Sequence, residues 1–367
     1  MTWTHTGYAQ RIDFGPGAAA KVTEFVRELG GRRVLLVSSE ERLASEAGEA
    51  LVKRLGRSLA ATYDGARPLV PTACVQSALG IARDRDVDTI VSFGGGSCID
   101  LGKAVGFFVE HEAGMPGASY VDRPELPHIT IPTTYVGAAV TASFSMTDET
   151  MGRITAAAGP TVPPLAALYD PEITIDTPVE LSAASGMTAL GHAVEVVCSP
   201  TRTPEAEAVA LAAATRLALS LPSVVAEPAD LDARTAALSG ALLAGRALQN
   251  ASRGLHHGLT QLLAARTGQP HGVIAAAILS SVLAFNSHEV PDQVLRIGAA
   301  IGDPDDPAEA IDRLREQLGL TGQLSALGVD TDVIDAVTRM ADGNADIAAN
   351  PREAGADEVR QVIEAAF

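Results

Sequence analysis

The stretch from Thr89 to Lys103, T-I-V-S-F-G-G-G-S-C-I-D-L-G-K, decides how the rest of the chain is read. Thr89–Phe93 is a short apolar, β-prone run and predicts a strand buried on both faces. Gly94, Gly95 and Gly96 follow, then Ser97 at an N-cap position, with a helix from about Cys98. Strand, glycine turn and helix N-terminus together make an anion site. The bare backbone can approach a diphosphate closely, and the first free N–H groups of the helix point at it with the positive end of the dipole. Asp100 and Lys103 lie one turn into that helix, three residues apart and so on one face. An ordinary glycine-rich βα turn would need neither.

Working outward, Arg33–Ser39 predicts a first strand, followed by a helical pattern through about Leu55. Ala60–Tyr63 reads as a second strand and Thr72–Arg85 as a helix. The helix after the glycine turn runs to about Phe108; a loop rich in Gly and Pro leads from it to a strand at His128–Ile131. Strands alternating with helices of this length imply a doubly wound parallel sheet of Rossmann-like type, with its ligand beyond the carboxyl ends of the strands. From Leu181 onward the chain is rich in Ala and Leu with helical periods. The expected division is an α/β domain over 1–176 and an all-α domain over 177–367, ending in two or three short helices after Asp330.

Composition narrows the function classes. At 367 residues with 47% hydrophobic content, the chain can bury two sizeable cores. A net charge of −18, with no basic stripe, argues against nucleic acid or an anionic membrane as partner. The three cysteines, Cys74, Cys98 and Cys198, suit a reducing cytoplasm and make no disulfide framework. Met1–Gly17 lacks an apolar signal core. The longest greasy stretch, Gly272–Phe285, is too short to span a bilayer and predicts a buried helix.

Three segments of the second half carry candidate chemistry: Ser185–Glu195, Gly254–Gly258 and Gln269–Gly272. They hold four of the eight histidines, each segment flanked by glycine, and Thr188 and His192 share a helix face. Between Gly245 and Gln261, the residues Arg246, Asn250, Arg253, His257 and Gln261 recur at helical spacing. One continuous helix would turn this polar stripe to a cleft; a break at Gly254 or Gly258 would split it. The two arginines suit bidentate capture of a carboxylate, or else pair with Asp or Glu across a helix interface.

With these residues in view the chain resembles the iron-containing (group III) alcohol dehydrogenase family, and within it the maleylacetate reductase branch. The motifs are G-G-G-S-x-x-D-x-x-K at 94–103, I-P-T-T-Y-x-G at 131–137, Y-D-P-E at 169–172, S-G-M-x-A-L-x-H at 185–192, G-L-H-H at 254–257 and P-H at 270–271. Tyr135 and the paired His256-His257 point to the reductase branch. The resemblance implies the dehydroquinate synthase-like architecture, with an active site in the cleft between the domains. The ligand set of dehydroquinate synthase itself, a Glu and two His, cannot be placed. Gly95, Gly96 and Ser97 would hold the diphosphate, and Thr133 and Thr134 would lie near the adenine, ribose or nicotinamide. Gly94, Asp100, Lys103, Ser38 and Tyr135 complete the expected cofactor-binding set. The metal-binding members hold Fe²⁺ or Zn²⁺ with one Asp and three His; the three match His192, His257 and His271, but the Asp position is Thr188. Loss of that carboxylate argues against a metal. A second histidine common in the family is Gln261 here, and a Ser-Glu pair of the reductases is Ala138-Ala139.

The implied activity is NAD(P)H-dependent reduction of a small carboxylate-bearing enone or ketone, with maleylacetate going to 3-oxoadipate. His256 or His257 would be the acid, His192 and His271 would shape the pocket, and Arg246 or Arg253 would hold a substrate carboxylate. Two alternatives stay open: a site refitted for another anionic substrate, including redox-neutral lyase or cyclase chemistry, and a silent nucleotide-binding protein. Relatives imply a homodimer. NADH and NADPH are not separated: Glu40, after Val37-Ser38-Ser39, either reaches a ribose hydroxyl or simply opens a helix.

Overall fold

The computed structural model describes residues 2–114, 124–150 and 153–367. The chain forms two compact units, one from Gly7 to Asp176 and one comprising Thr177–Phe367 together with the residues up to Thr6. The first unit contains β1 (Arg11–Phe14), β2 (Val34–Val37), β3 (Leu59–Tyr63), β4 (Thr89–Gly94), β5 (His128–Pro132), β6 (Ser143–Asp148), β7 (Arg153–Ala158) and β8 (Ala166–Tyr169). Six of these form one parallel sheet in the order β1-β8-β5-β4-β2-β3, and β6 and β7 pair antiparallel.

The central strands β2, β4 and β5 are buried at every position because both faces are covered. Leu35 and Val37 of β2 and Ile90 of β4 pack on Val75, Ala78, Leu101 and Val105, from the helices Thr72–Asp84 and Gly96–Glu112. Val34 and Leu36, with Val91 and Phe93, pack the other way on Phe25, Val26, Leu51 and Leu55, from the helices Val22–Glu28 and Glu46–Leu55. Period-2 geometry sends neighbours to opposite layers, so no polar alternation is left to see. Each fully buried Val, Leu or Phe contributes about 1.5–3 kcal/mol. The strand order places the turn after β4 beside the end of β2, where the connections leave the sheet in opposite directions.

Several local expectations are corrected. The helix after β4 starts at Gly96, not Cys98, and its N-cap is Gly95 in extended conformation, φ −79° and ψ −170°. Ser97 therefore sits inside the first turn. The pattern through Leu55 is two helices, Glu40–Leu43 and Glu46–Leu55, because Ser39 and Ser45 each accept a backbone N–H and restart the helix. Strands β1, β6, β7 and β8 were absent from the expectations. β1 is an edge strand, R-I-D-F, four residues long and only partly buried, too short to carry a pattern. The Gly- and Pro-rich loop includes residues 115–123, which lie outside the described residues, and the helix before it continues to Glu112.

Among its described residues, the regular elements of the second unit are all helices. Val179–Cys198, Pro204–Ala226, Leu231–Leu248, Leu255–Thr267 and His271–Asn286 come first, and Thr331–Ala341, Ala345–Ala348 and Ala356–Ala365 follow Asp330. Gly272–Phe285 is not the longest apolar helical segment. Val179–Cys198 and Pro204–Ala226, of 20 and 23 residues with mean hydropathy 1.2 and 1.7, are long and apolar enough to cross a membrane. The first is 89% buried over its apolar window and is a core helix; the second packs along it and along Leu231–Leu248. The polar stripe is not one helix. Its chain breaks between Leu248 and Leu255, with Gly254 as the new N-cap, so Arg246 and Asn250 part from His257 and Gln261. Asn250 instead exchanges hydrogen bonds with the backbone of Thr6.

Candidate active site

The first unit supplies an anion cradle at the end of β4. Gly94 has φ +146°, a region L side chains rarely adopt, and a Cβ there would lie 2.5 Å from the Cys98 sulfur. The first helical hydrogen bond runs from Cys98 N to Gly95 O, so the amides of Gly96 and Ser97 lead it, at an N-cap with no side chain to compete. Gly95 lies under Thr134, and Thr133 donates its N–H to Gly94 O at 3.0 Å. Thr133, Thr134 and Tyr135 are buried. The end of β5 thus braces the turn from one side. Ser38, fully buried, braces it from the other, donating its hydroxyl to Phe93 O at 2.7 Å. This cradle fits a dinucleotide diphosphate.

Asp100 and Lys103 are placed differently from the glycines. The buried Lys103 Nζ donates to Thr141 Oγ1 at 3.0 Å and to Ser143 O at 2.8 Å, and it lies 3.6 Å from Asp100 Oδ1. Asp100 Oδ2 accepts Ser145 N–H at 3.3 Å. The pair ties the helix to the start of β6. Glu40 lies in the first turn of its short helix, where a carboxylate complements the dipole.

The helical unit brings three histidines together. Thr188, His192 and Glu195 lie along one face of Val179–Cys198, His256, His257 and Gln261 lie on Leu255–Thr267, and His271 opens His271–Asn286 after Pro270. The ring centres of His192 and His257 are 5.7 Å apart, and those of His257 and His271 are 5.8 Å apart. Burial pushes His192 down to about 4, His271 down to about 3 and His257 well below its usual range, and the charge of Arg253 lowers all three further. At neutral pH the rings are uncharged.

Arg253 and Gln261 flank His257 on its own face. Arg253 Nη1 lies 3.2 Å from His257 Nε2, and Gln261 Nε2 lies 2.9 Å from the same nitrogen. A guanidinium only donates, so Nε2 is an acceptor and the proton of the neutral ring sits on Nδ1. Arg253 Nε is 3.4 Å from Asp346 Oδ1, so the pairing across a helix interface is the alternative realised for this arginine. Arg246, in the last turn of Leu231–Leu248, lies on another element.

His256 points into the core. Its Nε2 lies 2.9 Å from Ala275 O, which only accepts, so the ring N–H is committed there. Its other face lies against Gly191, where a Cβ would come within 2.4 Å of the ring. Glu195, the last residue of the Ser185–Glu195 segment, is buried beside His256. Its Oε1 accepts the N–H groups of Gly254 and His257 at 2.9 and 3.0 Å, and its Oε2 is 3.9 Å from His256 Nδ1. Burial pushes its carboxyl up, but the neighbouring His256 ring and the His257 backbone N–H outweigh this and hold it below the usual range. The spacing 188, 192, 195 was visible in the sequence; that the carboxylate caps another helix was not.

The donor set does not fit the one-Asp, three-His ligation that the resemblance implies for metal-binding members. Thr188 offers a hydroxyl already bonded to Ala184 O at 3.1 Å, and Nε2 of His257 faces a guanidinium. No group of three or more His, Cys, Asp or Glu among the described residues is disposed to hold an ion.

The chain has relatives among known proteins along nearly its whole length. Residues 9–171 match the iron-containing alcohol dehydrogenase family, and residues 182–367 match the C-terminal part of the Fe-containing alcohol dehydrogenase family. The chain is 34% identical over 358 residues to maleylacetate reductase 2 of Cupriavidus pinatubonensis, covering 97% of this chain and 94% of that protein. It is 32% identical to the maleylacetate reductase of Rhizobium sp. strain MTP-10005, covering 100% and 97% of the two. The crystal structure of maleylacetate reductase from Agrobacterium tumefaciens superposes with a TM-score of 0.87 at 30% identity, covering 100% of this chain and 98% of that one. The chain belongs to the iron-containing alcohol dehydrogenase family and has its dehydroquinate synthase-like fold. It is an NAD(P)H-dependent oxidoreductase of the maleylacetate reductase-like kind.

Proposed function

We propose that this enzyme reduces maleylacetate, or a closely similar carboxylate-bearing enone, to the saturated oxo acid without a catalytic metal. The observation that carries the reading is the neutral His192–His257–His271 cluster with one guanidinium, Arg253, seated on it. The full-length likeness to enzymes named maleylacetate reductase supports the substrate.

When bound, the dihydronicotinamide supplies a hydride to the polarised double bond, and its diphosphate is assigned to the amides of Gly96 and Ser97. The chain's residues do the rest. Negative charge developing on the substrate's carbonyl oxygen needs a preorganised positive partner, and Arg253 supplies one that Asp346 orients. Rings with depressed basicity store no proton at neutral pH, so His192 and His271 act as shaped, hydrogen-bonding walls and solvent delivers the proton that completes reduction. His256, whose N–H is committed to Ala275 O, positions rather than reacts. The three free, buried cysteines are consistent with a reducing compartment.

The test is loss of nicotinamide absorbance with maleylacetate, using NADH and NADPH in turn, on chelator-treated protein. Rapid turnover is expected. Cofactor binding without turnover would overturn the substrate assignment. It would favour the second reading, another anionic substrate, for which Gln261 at His257 and Thr188 in place of a carboxylate speak.

A further inference from the structure

We infer that the Arg253 guanidinium is the resident cation of the three-histidine cluster, holding the place of a metal ion and excluding one. Neutral imidazoles are ligands zinc takes, and the His257 ring centre lies 5.7 Å from that of His192 and 5.8 Å from that of His271. Zinc would need an unshared lone pair on each ring. The His257 Nε2 lone pair already accepts from Arg253 Nη1 at 3.2 Å, with the Gln261 amide at 2.9 Å beside it. The counter-charge sits elsewhere as well. Position 188, which faces the cluster from His192's own helix, carries a hydroxyl turned back to Ala184 O, whereas Asp346 places its carboxylate 3.4 Å from Arg253 Nε.

A carboxylate, a cation and three imidazoles are thus all present, but the cation is covalently part of the chain. Asp346 holds the guanidinium from one side and His257 from the other, so the planar fork cannot swing away without breaking two contacts. A fixed guanidinium gives charge without Lewis acidity. It suits an anionic substrate oxygen, cannot be removed by a chelator, and makes the protein indifferent to the metal supply. The guanidinium occupies the cluster whichever anionic substrate the enzyme takes.

The experiment compares zinc uptake by wild type, Arg253→Met and Arg253→Lys after equilibrium dialysis at micromolar free Zn²⁺. Cobalt(II) spectra report the ligand geometry. Wild type and Arg253→Lys are expected to retain no stoichiometric metal. Arg253→Met is expected to bind one ion per chain at least tenfold more tightly, with Co²⁺ bands in the visible that vanish in Arg253→Met/His257→Ala. Wild type binding one zinc as tightly as Arg253→Met would overturn the inference, and so would Arg253→Met binding none. If circular dichroism shows Arg253→Met unfolded, ¹⁵N spectra of histidine-labelled wild type decide. Nε2 of His257 is expected unprotonated and unmoved by zinc, and a protonated or zinc-shifted Nε2 would overturn the inference.

Discussion

Glu195 accepts the backbone N–H of His257 at 3.0 Å across 62 residues of sequence, and the same oxygen takes the N–H of Gly254 at 2.9 Å. A buried carboxylate from one helix therefore serves as the N-terminal cap of another, at a position where the N-cap residue is glycine and has no side chain of its own. The helix so capped carries both His256 and His257.

Glu195→Ala leaves two buried N–H groups without an acceptor and should cost about 3 kcal/mol or more. Glu195→Gln keeps an acceptor and should cost about 1–2 kcal/mol. Denaturant melts check the stabilities. Because the cap sets where His257 lies, Glu195→Gln should lower kcat while leaving the KM for the nicotinamide cofactor unchanged. Equal losses in both parameters would mean that Glu195 only supports folding.

Replacing His257 with Ala removes the ring that anchors Arg253. Turnover of maleylacetate should fall by about 10²-fold, with folding judged intact by circular dichroism. Unchanged turnover would take both the ring and its arginine out of the reaction.

Gly94→Ala places a Cβ 2.5 Å from the Cys98 sulfur on a backbone at φ +146°. The strain alone is of order 1–3 kcal/mol. NADH titrated by fluorescence should bind at least tenfold more weakly. Adding Cys98→Ala should relieve the clash but not the dihedral, so the double variant should recover only part of the affinity.

Acid sensitivity follows from the buried rings. His192, His257 and His271, with His128 held down to about 3 in the sheet, all have folded values below the unfolded 6.5. Between the two values the unfolded chain binds more protons. The stability these neutral rings contribute is complete above about pH 6.5 and is lost as pH falls toward 4 and then 3. Melting temperature should drop steadily across that window. His128→Gln should flatten the fall, and a Tm constant from pH 7 to pH 4 would contradict the burial of these groups.

Much of the fold was legible in sequence because its signals are local. β2 and β4 announce themselves as largely apolar runs that match their own two-sided burial, and Gly94–Gly96 mark the turn, with Gly94 at φ +146° needing a glycine. The Ala- and Leu-rich second half could only be helical. Edge strand β1 and the β6–β7 pair escaped because short, half-buried strands borrow their stability from neighbours.

At the histidine cluster the division is sharper. Residue type and spacing on single helices marked out His192, His257 and His271 as candidates by sequence alone, since chemistry and a 3.6-residue period are properties of the chain itself. Which partner each one meets was decided only by tertiary structure. The break between Leu248 and Leu255 separated Arg246 from Arg253, Asp346 arrived from almost a hundred residues away to hold Arg253, and Ala275 O claimed the His256 N–H. Such pairings depend on how helices pack, and packing is set by the sum of many contacts that no local pattern encodes.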